Sequence, residues 1–196
     1  MGDEQLYEEL LNFYSIIVLL IDEALKLIDG HKEEKELTQG EKEIWKKLTL
    51  EFEQIKINLF IDRNNVIFRH SYYGQKGRKS TPQTLAKLLS NTINLYGQFI
   101  EQEKAKTDSM EGKMIQIIDA KIFFIRTIRL MLVGQVYFNN EKIKEAYGLW
   151  NECERCIKII SNNEHTTEEP LIEVTKLMEG VRVGKLKCVL KHSEQS

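Results

Sequence analysis

The octapeptide GQKGRKST, Gly74 to Thr81, gathers two glycines, three cations and a Ser-Thr pair, the residue types that cradle phosphate. A nucleotide loop of the form G-x-x-x-x-G-K-[ST] follows a strand and wraps backbone N-H groups around the anion. Here only two residues separate Gly74 from Gly77, Arg78 precedes Lys79, and the segment before them has a helical pattern. Nucleotide hydrolysis is therefore set aside. Two readings remain: a basic connector between helices, or a connector whose cations also meet RNA phosphate or an acidic partner. The wider sequence gives the second some substance, because no Asp or Glu occurs from Arg63 to Ile100. The candidate contact residues are Arg63, Arg69, Lys76, Arg78 and Lys79, with Tyr72 and Tyr73 as aromatic surfaces on which bases could stack.

CERC, Cys153 to Cys156, is the second stretch with chemical content. A redox pair of this spacing belongs at the start of a helix after a strand, whereas this one falls mid-helix. Cys188 and His192, four apart, would complete a Cys3His zinc set by count. Against zinc, free cysteine is a common core residue, and Cys153 occupies a small-residue packing position described below. His31, His70 and His165 have no nucleophile and acid arranged around them. Arg126 and Arg129 read as a solvated helix face. The sequence thus predicts no enzyme, no metal and no cofactor.

These residues must be positioned by helices. With 42% apolar and 30% charged residues and two prolines in 196, the chain can bury a core, and its balance favours long amphipathic helices over turn-rich β architecture. Apolar spacing predicts six helices at about 3–29, 41–73, 82–103, 108–139, 141–160 and 169–190. Gly30 is the expected stop of the first. Thr38 and Glu41 have capping-box spacing before the second, Thr81 and Pro82 suit the N-cap and first position of the third, and Asp108 with Glu111 opens the fourth.

Charge divides the chain unevenly. Residues 1–62 hold 15 acids against 7 Lys or Arg, and residues 63–196 hold 15 acids against 21. The two parts should attract different partners. Three cysteines make no disulfide framework, the start has no signal-peptide pattern, and no apolar run approaches the roughly 20 residues that cross a bilayer. A reducing, cytoplasmic location is the expectation.

The most specific pattern lies in the fourth and fifth helices. Leu130, Val133, Gly134, Tyr137, Ala146, Trp150 and Cys153 fall on the offsets of a tetratricopeptide repeat. Small residues at Gly134 and Ala146 let two antiparallel helices approach, while Tyr137 and Trp150 fill the space around them. No copy stands one repeat length away on either side; upstream, Ile100 takes the place of the glycine. The expected fold is all-α: antiparallel hairpins in a single right-handed, tetratricopeptide-like array, with the other hairpins degenerate.

Three blocks carry a resemblance to a known family: FEQIKINLFIDRNN from Phe52, STPQTLAKLL from Ser80, and IIDAKIFFIRTIRLMLVGQVYFNNEKIKEAYGLWNECERCIKII from Ile117. In order and spacing they resemble the middle and C-terminal part of the sixty-eight-kilodalton subunit of the eukaryotic signal recognition particle, over about Leu6 to Leu190. The resemblance implies a non-catalytic helical scaffold that pairs with the particle's seventy-two-kilodalton subunit, joins the particle RNA and supports targeting of secretory proteins to the endoplasmic reticulum. It also implies a fragment without the family's N-terminal RNA-binding domain, through which most RNA contact would run, and without the far C-terminal tail implicated in binding the seventy-two-kilodalton subunit. The competing expectation is a generic peptide-binding adaptor of tetratricopeptide type.

Overall fold

The structure is a computed structural model that describes residues 3–34, 37–73, 80–106, 112–162 and 172–195. Among the described residues it is all helical: α1 Asp3–Glu34, α2 Gln39–Tyr73, α3 Pro82–Lys106, α4 Gly112–Asn139, α5 Ile143–Ser161 and α6 Val174–Gln195.

Local chemistry sets the helix starts. At α2, Thr38 N-H donates to Glu41 Oε2 at 2.8 Å and Glu41 N-H donates to Thr38 Oγ1 at 3.3 Å, a reciprocal capping box. At α3, Thr84 N-H donates to Thr81 Oγ1 at 3.2 Å, and Pro82 takes the first helical position, where its missing N-H leaves nothing unpaired. The expected cap of α4 at Asp108 lies outside the described residues.

Several helix ends differ from expectation: α3 runs past 103 to Lys106, α5 begins at Ile143 rather than 141 because Glu141 and Lys142 are taken up by the turn after α4, and α6 begins at Val174 rather than 169. α1 does not stop at Gly30 but continues to Glu34, because its last turns are tied to α2. Lys32 Nζ donates to Thr49 Oγ1 at 2.9 Å and the His31 ring lies 5.3 Å from Trp45. Such contacts outweigh the roughly 1 kcal/mol that a glycine costs inside a helix. At the other end α6 continues past Leu190 to Gln195.

The chain falls into two compact units, with α2 and α3 contributing to both. Unit 1 comprises residues 1–66 and 95–110. In it Asp22 pairs with Lys56 while His31 faces Trp45, so residue numbers fall along α2 as they rise along α1 and the two helices are antiparallel. α3 runs back along α2: Tyr96 hydrogen-bonds Asn65, and farther along α3 Gln54 Nε2 donates to Glu103 and Gln102 Nε2 donates to Glu53 Oε2 at 3.2 Å. Ile21, Ile28, Ile57, Ile61 and Phe99 are buried.

Unit 2 comprises residues 67–94 and 111–196. Here α5 is antiparallel to α4, with Trp150 opposite Met131 and Cys153 opposite Thr127. It is also antiparallel to α6, with Glu154 paired to Lys185 and Ile143 opposite Cys188. The parallel pair is α4 and α6, where Gly180 faces Met131 and Lys191 lies over Phe138.

The α4–α5 turn is a Schellman motif. Lys142 N-H donates to Tyr137 O and Glu141 N-H donates to Phe138 O, both at 3.0 Å, with Glu141 in the left-handed region at φ 63°. Glycine is the residue that holds this conformation without a Cβ penalty. The Lys191–Glu141 pair, 3.4 Å apart and 77% exposed on the glutamate side, offers little in return. Glu141→Gly is therefore expected to raise stability by about 0.5–1 kcal/mol; chemical denaturation checks it, and a loss would mean that the ion pair outweighs the strain.

Candidate nucleic-acid interface and the packing of Trp150

Of the five candidate cations, Arg63 and Arg69 fall within the described residues. Lys76, Arg78 and Lys79 lie outside those residues. Arg63 belongs to unit 1, half-buried on α2, where its charge acts on Tyr7 of α1. Arg69 is exposed in unit 2, within the last turns of α2, and has an interaction within the chain.

Of the two tyrosines, Tyr72 is taken up by packing. Its ring stacks on Phe68, 5.4 Å between centroids and 14° between planes, and burial raises its phenol pKa. Tyr73 meets Tyr72 edge-on and carries Lys176 of α6 at 5.6 Å, yet stays 43% exposed. Tyr73 therefore has the more open ring of the two, and the Lys176 above it is itself paired with Glu173 at 3.1 Å. Arg126 and Arg129 are exposed on α4.

The cysteines are all free and buried. Cys153 Sγ donates to Thr127 O at 3.4 Å and Cys188 Sγ donates to Ile143 O at 3.6 Å, both across helix interfaces. Burial raises all three thiols, with Cys153 pushed up to about 12. A thiol held protonated is a poor nucleophile. Among the described residues no group of three or more His, Cys, Asp or Glu is disposed to hold a metal.

The repeat-type positions converge on Trp150, which is 1% exposed. Its indole N-H donates to Met131 O at 3.1 Å, and Ala146 and Cys153, also fully buried, lie one turn away on the same helix. A Cβ on Gly134 would come within 2.5 Å of the indole Nε1. Leu130 and Tyr137 are half-buried on α4, and Lys142 lies over the Tyr137 ring at 5.6 Å. Sequence reasoning missed Gly184 of α6, where a Cβ would fall 2.7 Å from Trp150 Cε2. The signal was available: Gly180 and Gly184 stand four apart inside a helix, a costly arrangement unless neighbouring atoms need the room.

Charge reinforces this packing at its edge. Glu154 of α5 accepts from Lys185 of α6 at 2.8 Å and pairs with Lys158 at 3.0 Å, and these bonds hold its carboxyl down at about 2. Between the start of α5 and the end of α6 lies an apolar groove of about 690 Å³ lined by Ile143, Tyr147, Cys188 and Val189, with Lys144 and His192 also in its wall. No described helix is long and apolar enough to cross a membrane. Comparison with protein-family models, curated proteins and solved structures finds no match to this chain.

Proposed function

We propose that this chain is a non-catalytic helical scaffold of the signal recognition particle, of the sixty-eight-kilodalton subunit type, built on tetratricopeptide-like hairpins. The observation that carries the reading is the ordered agreement of three sequence blocks with that family. The longest block, residues 117–160, covers most of α4 and all but the last residue of α5. Its polar and small residues serve helix packing, as in the Trp150 N-H bond to Met131 and the close approach at Gly134. That use suits a scaffold better than a reaction site. The partners in this reading are the seventy-two-kilodalton subunit, through a protein face, and the particle RNA, through the basic connector.

Titration of labelled particle RNA and of the purified seventy-two-kilodalton subunit, each with this chain at about 50 and about 200 mM salt, tests the proposal. If Lys76, Arg78 and Lys79 each neutralise one phosphate, RNA affinity should fall about 20–40-fold over that fourfold rise in salt. Arg78→Glu/Lys79→Glu should remove most of the RNA affinity and leave binding of the seventy-two-kilodalton subunit intact. RNA indifference with retained subunit binding would make the loop a connector in a protein-facing scaffold. Indifference to both partners would overturn the assignment.

A further inference from the structure

Two exposed apolar helix faces carry opposite charge. α1 turns Leu6, Leu10, Phe13, Ile16, Leu20 and Leu27 outward, all at least 37% exposed, and four of these recur at seven-residue spacing. Glu9 and Glu23 stand exposed within the same stripe, and the helix as a whole holds nine acids against two lysines. α6 turns out Val183, Leu186, Val189 and Leu190, between 49% and 63% exposed. Arg182 and Lys187 flank that patch in the open, and α6 holds five Lys or Arg against two acids.

An amphipathic helix with an uncovered apolar face is completed by another helix laid along it. We infer that the chain associates with a second copy of itself head to tail, the acidic α1 of one molecule packing on the basic, apolar α6 face of the next. Charge decides the pairing. Two α1 faces would repel and two α6 faces would repel, whereas α1 on α6 places Glu9, one turn from Phe13, at the basic edge formed by Arg182 and Lys187. The groove of about 690 Å³ beside Val189 supplies a recess for an anchor, and Phe13 is the aromatic side chain on the α1 stripe suited to fill it. The α6 patch spans only about two turns, so the contact is small and the dissociation constant should lie at about 10–100 µM, the weak end for a specific interface. Because different faces meet, the contact is heterologous and can extend beyond a dimer. The inference is independent of the proposed function.

The test uses the whole chain in sedimentation velocity from about 5 to about 300 µM, a range that brackets the expected constant. Two variants accompany it: Phe13→Glu/Leu20→Glu on α1 and Leu186→Glu/Leu190→Glu on α6. All four positions are exposed, so both variants should keep the helical circular dichroism of the parent chain. The expected result is a parent mass that grows with concentration and falls back in about 0.5 M salt. Each variant alone should be monomeric, and an equimolar mixture should form a dimer and nothing larger, since one intact α1 and one intact α6 remain between them. A parent chain monomeric throughout the range overturns the inference and leaves both faces to other proteins. Association that survives either variant, or a mixture that stays monomeric, also overturns it.

Discussion

Truncation of Trp150 to alanine is expected to lower the stability of unit 2 by about 3–5 kcal/mol, the range for a fully buried aromatic. Three helices meet at this one ring. Its indole donates to α4 at Met131 O, and it lies against Gly134 of α4 and Gly184 of α6. Glycines have no side chain with which to fill the space, so the cavity left by alanine would persist. Urea denaturation followed by far-ultraviolet circular dichroism reads the loss directly.

The reciprocal change tests the same contact. Gly184→Ala would set a Cβ 2.7–2.8 Å from the indole, and overpacking of this kind costs about 1–3 kcal/mol. If the ring fixes the helix approach, Gly184→Ala combined with Trp150→Leu should be less destabilised than the sum of the single changes, by about 1 kcal/mol or more. Strict additivity would sink that account.

The second large effect is a loss of stability in alkali, carried chiefly by Cys153. Its thiol ionises near the ordinary value of 9.0 when unfolded and only at about 12 when folded, because the side chain is fully buried beside Cys156. Below pH 9 the thiol is protonated in both states and contributes no pH dependence. Between 9 and 12 the unfolded chain releases a proton that the folded one keeps, so the stability present at neutral pH is lost as pH rises. Each pH unit within that window costs about 1.4 kcal/mol, or about 4 kcal/mol in total by pH 12.

Cys156, Cys188, Tyr72 and Tyr96 are raised by burial as well and add slope of the same sign. Comparison with Cys153→Ala isolates the one thiol. The variant should be less stable than the parent at pH 8, and the gap should narrow or reverse by pH 11. A constant gap across the range would show that Cys153 titrates alike in both states. The parent thiol should also react with an aromatic disulfide only as fast as the helices open.

Apolar periodicity and capping chemistry determined the helical class, the six segments and the starts of α2 and α3, because those signals act within a few residues of chain. Spacing alone also placed Gly134, Ala146, Trp150 and Cys153 on one helical hairpin, since small and large residues at fixed offsets read out how closely two helices can approach. Only the tertiary structure decided that α1 runs through Gly30, because the contacts of His31 and Lys32 reach residues more than ten positions away. Gly184 became part of the Trp150 contact for a similar reason: it lies on the next helix, far along the chain from the tryptophan, and no local rule pairs the two. The basic window shows the converse. Arg63 and Arg69 share α2, where Arg63 is half-buried and Arg69 exposed, and Tyr72, open to bases on composition alone, is stacked on Phe68. A charge run is a property of the chain, whereas a site is a property of what folding leaves side by side and uncovered.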